Sequence, residues 1–341
     1  MVYHLADGAT LDLRCFNYQR PDSATDRRFY MGSDGGVLHP HHGDVFAGRP
    51  PDAFTLYKGG LVVDTTDAAV DPVTFSAALR KPAGKVVTGV TLPTDDAYLA
   101  EQNFLGPAKL TISGGSGAAA TAVTVYDAAT RTLSGVEIVS PGFGYQAGDA
   151  VTATFEGQFK TTSYPCTVTL GDPDLTGGLT KRGAKRLKMT GENDYNGVTR
   201  IEGGTLEFTA GSYPANSDVE ITAEAVRAAQ LSGTPALIVY GFPNGRTVTL
   251  LGADTLDLSG LAKAIKLVQF TGTRPTSVDL RVLDSAGRPY VLPDGNRLYF
   301  SGGAIRVGKQ LGSSMGMTVY LHGKPCRVVG VVEGPSGRTE R

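Results

Sequence analysis

Residues 177–208 contain three short segments in which apolar and polar side chains alternate, with glycine-rich turns around them. In segments 187–189, 199–201 and 206–208, the residues at positions i and i+2 suit one buried face, as in a strand. This close spacing leaves no room for the crossovers of βαβ units. Parallel strands in a coil satisfy the pattern, because stacked coils pair their backbone groups and extend one apolar column.

A turn followed by Thr-Leu-acid-apolar recurs at residues 7–13, 202–208 and 252–258. Composition agrees with many short strands, since the 341 residues include 45 Gly and 19 Pro. The sequence therefore predicts an all-β fold, a single elongated parallel β-helix (solenoid) with about a dozen rungs of about 20–25 residues. A β-sandwich is the alternative.

Two parts of the chain depart from this rhythm. Residues 223–231 are the candidate helix, and a strand is the alternative there because the segment is short and has no clear cap. The N-terminal part is expected to be the least regular, since Pro50, Pro51 and Pro72 interrupt it.

Cysteine spacing, charge and hydropathy exclude several classes of protein. Cys15, Cys166 and Cys326 are too widely spaced for a disulfide framework or a zinc knuckle, so we expect free thiols that pack as small core residues. The net charge of −1 gives no global field that would attract nucleic acid or anionic membranes. No run of 18 or more apolar residues occurs, so no membrane insertion is expected.

Residues 177–206 resemble the autotransporter-associated β-strand repeat of bacterial passenger regions, whose usual form is G-G-L-T-K-T-G-x-G-T-L-T-L-S-G-x-N-T-Y-T-G-x-T-x-x-x-G-G-T-L. The chain keeps most glycines of that pattern together with Leu179, Lys181, Leu187, Asn193, Tyr195, Gly203, Gly204 and Leu206. Residues 111–157, with a hairpin across 127–132 and the stretch IVSPGFGY, resemble modules that accompany such repeats in large secreted proteins and also occur in phage tail fibres.

The resemblance implies a right-handed parallel β-helix that is extracellular or displayed on the cell surface of a bacterium, with a separate translocating barrel. Neither a signal peptide nor barrel segments are visible, so we expect a passenger piece of a longer protein or a truncated gene product. We divide the chain into irregular N-terminal β-rich rungs (1–110), a Gly-rich hairpin module (111–170), the repeat (171–211) and C-terminal β-rungs (212–341).

Five cations lie in one short segment of the repeat. Alternation places Arg186 and Lys188 on the outward face of a strand, with Lys181, Arg182 and Lys185 in the turn before it. We interpret them as a candidate binding patch for an anionic glycan or cell-surface polysaccharide, the alternative being a solvated face whose charges prevent pairing with other chains. No aromatic side chains are interleaved to stack bases, so nucleic acid is not expected as a partner.

No motif predicts catalysis. Residues 312–316 match G-x-S-x-G around Ser314, but no acid lies between Ser314 and His322, and 317–321 has the pattern of a strand where the nucleophile elbow needs a helix. The close acids Asp172 and Asp174 suit turns better than a catalytic pair, whose members flank a cleft.

His39, His41 and Asp44 are the candidate metal ligands, since imidazole and carboxylate suit transition metals. In an extended segment His39 and His41 could share a face while His42 could not, and Pro40 favours an exposed turn. A solvated loop is therefore the favoured interpretation, and no cofactor is predicted. Two classes of function remain. One is a non-catalytic structural or adhesive passenger segment, and the other is a β-helical carbohydrate-active enzyme or a depolymerase like those of phage tail fibres.

Overall fold

The computed structural model describes residues 2–5, 9–12, 28–31, 35–41, 43–44, 54–93, 104–108, 110–156, 163–309, 318–321 and 324–326. These residues form β-strands, numbered here in chain order, and one α-helix. Most strands pair in parallel ladders, which confirms the predicted all-β parallel β-helix.

The longest ladder has ten strands, and all its neighbours are parallel except the last pair. Its members in spatial order are β2 (Ala9–Asp12), β4 (Gly36–His39), β6 (Leu61–Asp64), β15 (Leu179–Arg182), β17 (Thr199–Ile201), β19 (Val219–Thr222), β21 (Arg246–Leu251), β23 (Ser277–Val282), β26 (Thr318–Leu321) and β27 (Lys324–Cys326).

Two further ladders complete the column. The second has seven strands, β7 (Val73–Phe75), β16 (Leu187–Met189), β18 (Leu206–Phe208), β20 (Leu237–Tyr240), β22 (Ile265–Thr271), β25 (Ala304–Lys309) and β24 (Asn296–Ser301). Its last two pairings, β22 with β25 and β25 with β24, are antiparallel. The third ladder is parallel and has four strands, β1 (Val2–Leu5), β3 (Arg28–Met31), β5 (Phe54–Leu56) and β8 (Leu79–Arg80).

Alternation decides which side chains enter the column. The outer residues of β16, β17 and β18 are buried and the central residue of each is partly exposed, which confirms the faces predicted for these segments. Aromatic rings contact one another in a row along the column, in tilted or edge-to-face geometry with centroids 5.0 to 5.9 Å apart, in the order Phe208, Tyr213, Phe242, Phe270 and Phe300. Buried aromatic contacts of this kind add to the stabilisation from apolar burial.

A second unit interrupts the column, which differs from the predicted single solenoid. Leu61 of β6 pairs directly with Leu179 of β15, so the two strands are neighbours in the ladder although a long segment separates them in sequence. That segment forms antiparallel strands β9 (Val86–Thr91), β10 (Leu110–Gly114), β13 (Val151–Glu156) and β14 (Ser163–Gly171), and the hairpin β11 (Ala118–Asp127) with β12 (Thr132–Phe143).

The inserted unit has its own hydrophobic core, which includes Val87, Phe104 and Phe155. Its strand β9 lies within residues 1–110 but pairs with β14, so the structural boundary precedes the one placed at residue 110. Cys166 on β14 is free and buried in this core, as predicted. The side chains of Cys15 and Cys326 lie outside those described.

Rung length changes along the chain. Partner residues on neighbouring rungs are 20 apart at Arg182 and Glu202, but 29 apart at Asp218 and Thr247, where a helix enters the rung. This helix, α1 (Ala223–Ser232), begins after Thr222, whose hydroxyl accepts from the Ala225 N–H, and ends at Gly233 in the left-handed region. Residues 223–231, for which the sequence leaves a helix and a strand as alternatives, are therefore helical.

Asn193 connects three rungs through its side-chain amide. Its Oδ1 accepts from the Leu79 N–H at 2.8 Å, and its Nδ2 donates to the Ser212 carbonyl at 2.6 Å. Both bonds are buried, so the amide satisfies backbone groups that water does not reach.

Replacing Asn193 with alanine is expected to lower the free energy of unfolding by about 2 kcal/mol, because the Leu79 N–H and the Ser212 carbonyl lose buried partners. Urea denaturation followed by circular dichroism measures the change. Asn196→Ala is the matched control, since the side chain of Asn196 accepts an exposed hydrogen bond from Asn216 at 3.3 Å. Equal losses in the two variants would show that the buried bonds contribute nothing specific.

Candidate functional site

Lys181 lies on β15 and points into the column, which corrects its predicted place in an outward turn. It is two positions from Leu179 on one strand, so the two side chains share the inner face, and both are fully buried. The Nζ atom of Lys181 donates to the carbonyl oxygens of Arg182, Gly183 and Gly203 at 2.8, 2.7 and 3.1 Å. Three acceptors satisfy an ammonium group. This lysine therefore ties the turn after β15 to the next rung and is not accessible to a ligand.

Burial lowers the pKa of the Lys181 amine to about 7, against the opposing attraction of Asp64 and Asp71. A lysine in an unfolded chain keeps a pKa of about 10.4. The folded protein therefore releases this proton near neutral pH, while the unfolded chain retains it. The cost of burying the charge is fully present below about pH 7 and is relieved as pH rises from there toward about 10.

Arg182 and Arg200 point outward and form ion pairs between rungs. The Nη2 atom of Arg182 lies 2.9 Å from a carboxylate oxygen of Glu202. Arg200 contacts Glu202 at 3.1 Å and Glu220 at 3.3 Å. Arg200 and Glu220 also stand directly opposite on β17 and β19, where opposite charges stabilise a sheet. Arg182 therefore lies on a strand, not in the predicted turn, and its charge is balanced by the next rung.

Arg186 and Lys188 share one acid on the neighbouring strand. Their nitrogen atoms lie 3.0 and 3.9 Å from the carboxylate of Glu207, which stands opposite Lys188 in the register of β16 and β18. Lys185 lies in the turn between β15 and β16 and forms no ion pair with a described acidic side chain. The predicted patch is therefore mainly a row of ion pairs between rungs, and exposed pairs of this kind contribute about 0–1 kcal/mol each.

The candidate metal ligands belong to separate features of the column. His39 ends β4, whereas Asp44 bridges to Thr74 and accepts a hydrogen bond from the Ser76 hydroxyl at 2.9 Å. In the part of the chain that the structure describes, no three His, Cys, Asp or Glu side chains are placed to hold a metal ion.

The closely spaced acids serve local structure. Asp174 accepts from the backbone N–H and hydroxyl of Thr176 at 2.9 and 2.5 Å, and Asp172 pairs with the Nζ atom of Lys85 at 2.7 Å. The contacts of Asp174 match the predicted turn role, whereas Asp172 forms an ion pair with a residue distant in sequence. Ser314 and His322 lie outside the described residues.

These features define a parallel β-helix whose rungs are joined by tight glycine turns, a buried lysine and ion pairs on the outer faces. Residues 179–208, which contain β15 to β18, match the Passenger-associated-transport-repeat family. The match confirms the resemblance to autotransporter passenger proteins that the sequence predicts. No solved structure matches the chain.

The chain is also similar to the adhesin BmaC autotransporter of Brucella suis biovar 1 (strain 1330), at 29% identity over 240 residues. The similar region is 70% of this chain but 6% of that adhesin, so the chain spans a small part of the relative's length. In the described residues, no helix is long and apolar enough to cross a bilayer.

Proposed function

We propose that this chain is a non-catalytic segment of a surface-displayed or secreted adhesive passenger. The observation that carries the proposal is the unbroken parallel pairing of β15, β17 and β19 on one flank and β16, β18 and β20 on another. Such pairing makes a column whose flanks are open to partners, and in solenoids function resides in side chains added to the rungs. Similarity to a named adhesin supports the same class.

We propose anionic glycans as the partners of this passenger segment. Exposed Lys and Arg side chains on a rigid flank attract sulfate and carboxylate groups through electrostatics that salt screens. The cations Arg182, Lys185, Arg186 and Lys188 add weakly to such contacts, because three of them already have acidic partners.

The test of this partner class uses the full chain on a biosensor with one polysaccharide in sulfated and desulfated forms. We expect binding to the sulfated form, with an affinity that falls steeply between low and physiological salt. Equal binding to the two forms, or no binding to either at low salt, would contradict the proposal.

We expect no turnover of polysaccharide, ester or peptide substrates by the purified chain. Glycoside hydrolysis needs two carboxyl groups that flank the bond to be cleaved, and the described acids Asp172 and Asp174 are engaged in an ion pair and a turn. Release of reducing ends, acids or amines over long incubations gives the measurement, with heat-denatured chain as the control. Release above that control would favour the β-helical enzyme as the alternative function.

A further inference from the structure

A groove beside α1 contains cations that form no ion pair with any acidic side chain that the structure describes. Its volume is about 670 Å³, within the range of about 300–1,000 Å³ typical of ligand pockets. One wall is the C-terminal end of α1, and the others are the loop 260–264 and strands β22, β24 and β25. Lys263, Lys266 and Arg306 line it, and neither Asp nor Glu is among the described lining residues.

Two of these cations are direct neighbours on adjacent strands of the sheet. Lys266 on β22 stands opposite Arg306 on β25, and Arg306 stands opposite Tyr299 on β24. Like charges directly opposite destabilise a sheet, and neither cation forms an ion pair with a described acidic side chain. The same ladder places Glu207 opposite Lys188, so the unpaired arrangement at the groove is a local departure with a cost in stability.

The floor of the groove is held in place. The Nε atom of Arg306 donates to the Ser301 carbonyl at 3.2 Å, which positions the guanidinium and leaves its terminal nitrogens without an acceptor among the described residues. The hydroxyl of Tyr299 donates to the Lys309 carbonyl at 3.1 Å, and its ring is buried. Fixed donors of this kind bind an anion with little loss of side-chain entropy.

We propose that this groove binds an acidic oligosaccharide, whose sulfate or carboxylate groups contact Lys263, Lys266 and Arg306. The proposal rests on the function proposed above and gives it a site. Gln230 can bond sugar hydroxyl groups and Leu261 can contact the apolar faces of sugar rings, since both line the groove. Nucleic acid fits less well, because Tyr299, the only aromatic side chain among the described lining residues, is buried and cannot stack with bases. The C-terminal end of α1 carries a partial negative charge of about half a unit, which repels an anion, but the three positive charges of Lys263, Lys266 and Arg306 outweigh it.

The double variant Lys266→Gln/Arg306→Gln tests the site in the full chain. We expect its affinity for a sulfated tetrasaccharide to fall at least tenfold, while its melting temperature stays the same or rises because the repulsion between Lys266 and Arg306 is removed. Arg186→Gln/Lys188→Gln is the matched control, since it removes the same charge where Glu207 is the partner, and it should change affinity less than twofold. Lys263→Gln, on the loop, is a milder second variant with an expected loss of at least threefold.

Different outcomes of this experiment contradict the proposed site and the proposed function. If the unaltered chain binds no sulfated probe at low salt, both proposals are overturned. If it binds and the groove variants bind as tightly, or the control variant loses as much, the site is overturned and the proposed function stands. Inorganic sulfate that displaces the tetrasaccharide at equal concentration would show a simple anion site and overturn the oligosaccharide assignment, as would tighter binding of single-stranded DNA.

Discussion

Replacing Lys181 with alanine is expected to lower the free energy of unfolding by about 4 kcal/mol. The substitution removes a fully buried four-carbon chain and leaves a cavity, and it deprives the carbonyls of Gly183 and Gly203 of their shared donor. Chemical denaturation at pH 7 measures the loss. Arg182→Ala is the control on the adjacent residue, where an exposed ion pair to Glu202 predicts a loss under about 1 kcal/mol. A similarly small loss for Lys181→Ala would mean that the buried amine does not hold the rungs together.

Lys181→Ala should also remove the part of the pH dependence of stability that the Lys181 amine causes. In the unaltered protein, the folded state releases the Lys181 proton near pH 7 and the unfolded state releases it near about 10.4. Between these values the unfolded state binds more protons, so stability rises with pH, by about 1.4 kcal/mol per pH unit at most. Unfolding midpoints at pH 6, 7.5 and 9 should therefore show the deficit of Lys181→Ala growing with pH. A constant deficit would place the pKa of this amine at its ordinary value.

Much of the column could be predicted because each strand carries its own pattern. Alternation within β16, β17 and β18 identifies the buried face without any knowledge of partners. The inserted unit could not be found this way, because alternation is the same in parallel and antiparallel strands. The pairings of Leu61 with Leu179 and of Val73 with Leu187 show that two neighbouring rungs are separated in sequence by a second unit.

The positions of the charged residues could also be predicted only in part. Counting by two from Leu179 places Lys181 inside the column, so this position was available from the sequence. The ion pairs needed the rung length as well, since Arg182 with Glu202 and Arg200 with Glu220 are each separated by 20 residues. The groove depends on the antiparallel pairing of β22 with β25, which alternation does not reveal. The local signal near it is the Gly302-Gly303 turn, which indicates a hairpin between β24 and β25.

Glycine turns were predicted as loops, but in the repeat they are contact points between rungs. A Cβ atom at Gly178 would overlap the carbonyl oxygen of Val198 on the next rung, and a Cβ at Gly60 would overlap Gly178 in turn. The contacting atoms belong to the backbone, which cannot rotate away as a side chain can. Rungs stack at about 4.8 Å, so the ladder cannot widen at one turn without breaking hydrogen bonds at its neighbours.

Gly178→Ala is therefore expected to lower the free energy of unfolding by about 3 kcal/mol or more, at the upper end of losses caused by overpacking. Gly135→Ala is the matched control, because a Cβ there meets nothing within 4 Å. That change should be neutral or stabilise by up to about 1 kcal/mol, since alanine restricts the unfolded chain. Denaturation curves for both variants give the comparison. If Gly178→Ala is as stable as Gly135→Ala, the turns of neighbouring rungs are not in contact, and the glycines of the repeat serve only to form turns.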